Sequence, residues 1–270
     1  MIKTITLLIV SSLITAQSYT LETCETHFGE NVPEFYQKYF HCVSAYMSES
    51  GEYINLYFNG TPPYQSWYWN AGHANDIPYE SQGPGYYQNP GSIGEFDLVI
   101  SIPVDPQPRA QLMNEDIDQN LVDGEVGSSP LEYGMGSVGT ALNGVHMFNP
   151  LAAPGDIIEN EAYSFDFYSG HPAGQNGYYH YHTTTKGPLE VLNYKMPYVV
   201  TQTEPGAAEV EIYGIMCDGT VVMGCTETDG TGVDESSLDA QHGHSHDLVD
   251  ETGTVLLQNR YHTHICYDDV

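Results

Sequence analysis

Two stretches of this chain carry the same residues in the same order, and that duplication constrains the fold more than any other feature. The first runs Gly139-Thr-Ala-Leu-Asn143-Gly144, then Glu161, Phe165-Asp166, Gly170-His171 and Tyr179-His180-Tyr181-His182. The second runs Gly214-Ile-Met-Cys-Asp218-Gly219, then Asp234, Leu238-Asp239, Gly243-His244 and Tyr261-His262-Thr263-His264. In each copy an acid precedes an apolar-Asp pair by the same interval, and that Asp precedes a Gly-His by the same interval. The shared residues are mainly histidines and carboxylates. Those are metal-ligand types, so the repeat points to a site as well as to a fold.

Local patterns give a mainly β protein. Asn143-Gly144 and Asp218-Gly219 sit between apolar residues and predict a type I′ hairpin at the start of each copy. Alternation in 43–58, as in Tyr53-Ile54-Asn55-Leu56-Tyr57-Phe58, predicts a strand, after a short helix near Glu34–Val43. Phe96–Val104 reads as a strand, and its Leu98-Val99-Ile100 run suggests burial on both faces. Residues 59–93 are rich in Gly, Pro, Asn and Tyr and read as a long aromatic-studded loop, while 105–135 read as a polar, acidic surface loop. Long helical periodicity is absent. The expectation is a single β-rich domain with an internally duplicated C-terminal half and long Gly/Pro/Tyr-rich loops. Its parts are a leader (1–16), an N-terminal β-rich part (17–136) and the duplicated region (137–270).

Eight of the twelve histidines lie between 171 and 264. Alternate side chains of a strand share a face, so His180 and His182 would project together, as would His262 and His264. With His171 and His244, which follow glycines, they are the candidate metal ligands. Asp166 and Asp239 are candidates for a further ligand, for the acceptor of a ligating imidazole's other N–H, or for a turn cap. His242 and His246 are accessory, because the first copy has no counterpart. His27, His41, His73 and His146 read as ordinary surface or core histidines. Imidazole-rich sites suit copper and zinc, and a thiolate-free nitrogen set leans slightly to Cu(II).

Composition bounds the setting. Lys3, an apolar run from Ile5 to Ile14 and Ala16 form a secretory leader, too short for the roughly 20 residues of a membrane span. A net charge of −30 argues against nucleic acid and anionic membranes as partners and favours a metal cation as one, with calcium a further candidate for the acidic surface. Five cysteines fit an extracellular, oxidising location. Cys24 and Cys42 could close a local loop. Cys217, Cys225 and Cys266 would supply one bond and one leftover thiol, which is free, intermolecular or a ligand. Asn59-Gly60-Thr61 is a glycosylation sequon in a eukaryotic source.

The ordered set Leu142-Asn143-Gly144-Val145, Phe165-Asp166, Gly170-His171-Pro172, Gly177-Tyr178-Tyr179-His180-Tyr181-His182, Asp218-Gly219, Leu238-Asp239, Gly243-His244 and Tyr261-His262-Thr263-His264 resembles the YHYH domain family of secreted proteins. The resemblance spans about 137–267 and implies a domain more than a reaction. Two departures stand out. The family commonly carries Cys shortly before each Gly-His, where Tyr168 and Gln241 stand here, and the second closing motif has Thr263 in place of Tyr. Three functions compete: a secreted copper or zinc binder, a metal-dependent hydrolase or oxidase with Asp166, Asp239 or Glu161 as base, and an acidic structural or calcium-associated matrix protein. No HExxH or GxSxG pattern supports a named enzyme class, and no EF-hand loop is present.

Overall fold

The computed structural model describes residues 18–106, 136–149, 152, 157–239 and 241–266. The leader and nearly all of the 105–135 loop fall outside them. The fold is mainly β, with two sheets.

The N-terminal sheet has the order β1-β2-β3-β4, from β1 (His27–Phe28), β2 (Ser44–Met47), β3 (Tyr53–Phe58) and β4 (Leu98–Pro103). The stretch expected as one strand over 43–58 is therefore a hairpin. It turns at Ser48–Glu52, where Gly51 takes φ 75° and the Ser48 N–H bonds Tyr53 O. Helix α1 (Glu34–Tyr39) is shorter than expected. Phe40 leaves it in an extended conformation, and Cys42 sits at φ 57°, tied to Cys24 by a disulfide. β4 is an edge strand with one covered face. Ile102 is buried but Val99 is 54 % exposed, so burial on both faces is not what the apolar run encodes.

The duplicated region forms one eight-stranded sheet. Copy one supplies β5 (Ser137–Ala141), β6 (His146–Phe148), β7 (Gly170–Pro172) and β8 (Tyr179–Tyr181). Copy two supplies β9 (Ile212–Met216), β10 (Val221–Met223), β11 (Gly243–Val249) and β12 (Val255–His264). The order β11-β12-β10-β9-β5-β6-β8-β7 reads the same from either end once copies are exchanged. Antiparallel β5 and β9 meet at the centre with Gly139 opposite Met216, Thr140 opposite Ile215 and Ala141 opposite Gly214. Thr140 and Ile215 occupy equivalent repeat positions, so the pseudo-twofold axis passes through their pair. Gly139 and Gly214 flank it. A Cβ on Gly139 would lie 2.3 Å from Ile215 O, and one on Gly214 would lie 2.3 Å from Thr140 O. The two halves touch backbone to backbone because both positions lack a side chain.

The hairpins at Asn143-Gly144 and Asp218-Gly219 form, but not as type I′ turns. Only the glycines take positive φ, 74° and 94°. Gly144 N–H bonds Ala141 O while Ala141 N–H bonds Val145 O, and Gly219 with Met216 and Thr220 repeats the arrangement. That is a type I turn followed by a left-handed glycine at a bulge.

One core serves both sheets. Phe35, Tyr36 and Tyr39 of α1 and Ile54, Leu56 and Ile102 of the small sheet pack with Ile212, Ile215, Val221 and Leu248 of the large one. The same core receives Leu189, Val191 and Leu192 of a helix the sequence reading missed, α3 (Lys186–Lys195). It places Pro188 in its first turn, where proline is tolerated, and stops at Met196 before Pro197. The short helix α2 (Ile158–Glu161) was not expected either. The 59–93 segment holds no helix or strand, yet it is no surface fringe. Tyr64, Trp67, Tyr68 and Trp69 fold into a second core against Tyr179 and Tyr181.

Candidate metal centres

Each copy builds its histidine cluster by the same local device. In copy one the Asp166 carboxylate accepts N–H bonds from Tyr168 (2.9 Å) and Gly170 (3.3 Å), closing a tight turn with Ser169 at φ 54°. In copy two Asp239 accepts from Gln241 (2.8 Å) and Gly243 (3.1 Å), with His242 at φ 53°. The neighbouring strand then lays a tyrosine over the turn. Tyr179 donates its hydroxyl to Asp166 at 2.7 Å, and Tyr261 donates to Asp239 at 2.9 Å. The glycine beneath is obligatory. A Cβ on Gly170 would lie 2.4 Å from the Tyr179 hydroxyl, and one on Gly243 would lie 2.2 Å from that of Tyr261. The spaced Asp, Gly-His and Tyr-His of the sequence are thus one structural unit. Asp166 and Asp239 hold the turns and tyrosines; no imidazole N–H among the described hydrogen bonds goes to either. Burial of Asp166 pushes its carboxyl up to about 6, even though Ser66, Tyr179 and two backbone N–H groups oppose the shift.

The imidazoles are oriented at their Nδ1 atoms. His180 Nδ1 faces Tyr178 O (2.9 Å) and His182 Nδ1 faces Asn149 O (2.6 Å). Their counterparts His262 and His264 face Arg260 O (2.9 Å) and Gly224 O (2.8 Å). A carbonyl can only accept, so these four Nδ1 atoms carry the proton. His171 Nδ1 faces Ser164 Oγ at 2.7 Å, and that hydroxyl donates to Glu161 O. His244 Nδ1 faces Ser237 Oγ at 3.1 Å, and that hydroxyl donates to Asp234 O. With the hydroxyl proton committed, the serine accepts from the ring. All six candidate histidines therefore carry a proton on Nδ1, and each Nε2 offers a lone pair whenever its ring is neutral.

Those Nε2 atoms converge in two groups. In copy one His180 Nε2 lies 3.1 Å from His171 Nε2 and 2.9 Å from His182 Nε2. Between neutral rings neither contact has a proton to share, so each sets lone pair against lone pair unless a cation lies between. A tetrahedral ion with bonds of 2.0–2.1 Å, as for zinc, holds its ligands roughly 3.3 Å apart. The walls are apolar: Phe148 stacks on His180 at 3.9 Å, and Phe165 meets His171 edge-on at 4.9 Å. Burial, helped by the neighbouring His182, lowers His171 to about 3, and burial likewise pulls His180 and His182 down, keeping the rings neutral. Glu161 lies just outside, 3.9 Å from His171 Nε2 and 4.0 Å from His182 Nε2.

In copy two the group is Glu227, His244, His262 and His264, whose ligand atoms lie within 4.8 Å of one another. Glu227 oxygens stand 3.0 Å from His244 Nε2, 3.2 Å from His262 Nε2 and 3.5 Å from His264 Nε2. Burial raises the Glu227 carboxyl, but His262 and His264 beside it more than offset that and hold it low, so it is an anion at neutral pH. Glu227 Oε2 and the Nε2 atoms of His262 and His264 are buried without a hydrogen-bond partner. The Cys225–Cys266 disulfide ties the two segments that carry Glu227 and His264.

The six histidines named from sequence thus fall into two clusters, one per copy. Glu227 escaped the sequence reading because it belongs to no repeated position; Asp234, the repeated acid, instead caps the 3₁₀ turn Glu235–Ser237. Three of the histidines outside these clusters behave as ordinary ones. His41 bonds Leu21 O and Thr26, beside cysteines already joined in a disulfide; His73 stacks on Trp69 at 3.9 Å; His146 faces Ser137. Cys217 is a free, exposed thiol far from the role of ligand. Asn59 Oδ1 accepts the Thr61 N–H at 3.1 Å. Among the described residues no helix is long and apolar enough to cross a membrane. No family model matches the chain, and no curated protein or solved structure matches it either.

Proposed function

We propose that this chain is a secreted metal-binding protein of the YHYH type, with two imidazole centres that take copper or zinc. One observation carries the reading. In each copy three Nε2 atoms face a common point while every Nδ1 proton is held by an acceptor behind the ring. A hydrogen-bonded core would alternate donors with acceptors; a metal centre needs aimed lone pairs and fixed tautomers. Two disulfides support an oxidising compartment and hence secretion. The oxygen-only chemistry of calcium does not use these centres. An enzyme reading would add an open coordination position, and the partly exposed second centre is where it would be sought.

Demetallated protein titrated with copper, zinc and calcium in a calorimeter tests the proposal. Two equivalents of copper or zinc are expected to bind, and none of calcium at these centres. The double variant His180→Ala/His262→Ala should lose both equivalents while keeping its β-sheet circular dichroism. Retention of full copper and zinc stoichiometry by that variant would mean the histidines are packing residues.

A further inference from the structure

The two centres are built by the same device but are not chemically alike. At the position where copy one has Ala173, copy two has His246. β11 therefore presents His244 and His246 on the face where β12 presents His262 and His264. His244 lies directly opposite His262, and His246 is opposite Arg260 one step along. The His246 ring centroid is 4.7 Å from that of His244 and 4.6 Å from that of His262. Its Nδ1 faces Asp247 O at 2.9 Å, so that nitrogen carries a proton, as in the other six, and Nε2 is turned to the cluster. That Nε2 lies 3.4 Å from Glu227 Oε2. One carboxylate thus stands within 3.5 Å of four imidazole nitrogens. Copy one offers three nitrogens, His180 Nε2 lying 3.1 Å from that of His171 and 2.9 Å from that of His182, and among the described residues one carboxylate, Glu161, 3.9–4.0 Å away.

We propose that the centres select different ions, with His246 as the ligand that sets them apart: centre two takes Cu(II) and centre one takes Zn(II). The inference rests on the metal-binding reading above. Four nitrogens about one carboxylate, two facing each of its oxygens, suit the tetragonal preference of Cu(II), whereas three nitrogens and one carboxylate suit the tetrahedral preference of Zn(II). Copper outranks zinc at most nitrogen sites, so discrimination between the two centres has to come from geometry and ligand number. Exposure agrees. His246 is 42 % exposed and gives centre two a route to solvent and ion exchange, while the His171 and His182 side chains are 1 % and 2 % exposed.

The test loads demetallated full-length protein with one equivalent each of Cu(II) and Zn(II). Electron paramagnetic resonance is expected to show a single axial copper species with four-nitrogen superhyperfine structure. Zinc-edge X-ray absorption should fit three nitrogens and one oxygen. His246→Ala should remove one nitrogen from the copper signal and cut the preference of copper for centre two by roughly tenfold or more, so that a second copper species appears. Ala173→His should give centre one a copper signal in the parent protein's place for zinc. Two copper species of similar intensity in the unmodified protein would overturn the assignment while leaving the metal-binding reading intact. A copper spectrum unchanged in His246→Ala would do the same. Failure of either ion to bind would bring down both.

Discussion

At the scale of single residues, two glycines bear the tightest constraint in the metal-centre turns. Gly170 and Gly243 recur because a tyrosine hydroxyl occupies the place of their side chain. Gly170→Ala and Gly243→Ala should therefore each lower stability by about 1–3 kcal/mol, the usual cost of forcing a methyl into filled space. Each should also weaken metal at its own centre only, which denaturant titration and metal stoichiometry read separately. Asp166 and Asp239 recur because they fold the turns, so the spacing signalled their importance without revealing their role. Glu227 was not legible and His246 was read only as accessory, since a repeat reports only what both copies share. Acid sensitivity belongs to this scale too. Burial holds His146 at about 4 and His171 at about 3, against 6.5 for a free imidazole. Between those values and pH 6.5 the unfolded chain binds protons the folded chain refuses, so stability is present above pH 6.5 and lost as pH falls. Asp166, raised to about 6, works the other way, gaining stability as pH falls through that value, but it is one group against several. Demetallated protein should thus lose stability on acidification below pH 6.5. His146→Gln should make that loss smaller by on the order of 3 kcal/mol at pH 4. An unchanged slope in chemical denaturation across pH 4–7 would show that His146 is not buried in its neutral form.

At the scale of elements, the central β5–β9 pair bears the greatest steric demand. Gly139→Ala and Gly214→Ala would each press a methyl against backbone, which cannot rotate away as a side chain can. Both should destabilise by about 3 kcal/mol or more, and by similar amounts, because the axis relates the two positions. Urea midpoints of the paired variants check this, and a large inequality would mean the halves are not equivalent in solution. Hairpins and their glycines were readable from sequence, though the turn type was not: the dipeptide allows several turns, and only the hydrogen-bond partners choose among them. β4 was misjudged for a similar reason, since an apolar run does not say which face will be covered. Helix α3 was missed because its Leu189, Val191 and Leu192 span barely one turn, too little to display a period. The 59–93 aromatics looked like loop because their partner, the tyrosine face of β8, lies a hundred residues away.

At the scale of the molecule, charge is the dominant imbalance. Of six Lys and Arg, three stitch the N-terminal part to the duplicated region. Lys38 of α1 bonds Asp250 and Glu251 at 2.7 Å, Lys195 bonds Gln37 O and Phe40 O, and buried Arg260 bonds Gly219 O and Val104 O. The rest of the surface is largely uncompensated acid, which repels itself in the compact state. Thermal midpoints should therefore rise with sodium chloride from about 0.01 M to 0.15 M, as the screening length falls from about 30 to 8 Å. A midpoint that falls would mean that these few ion pairs outweigh the repulsion. The twofold through Thr140 and Ile215 has a further consequence. A strand that pairs with its own repeat about such an axis is what two identical chains make when they associate through open sheet edges. Joined in one polypeptide, the partners meet at a local concentration set by the connecting chain. Dilution then leaves the pairing untouched, and both clusters persist at concentrations where a two-chain version would fall apart.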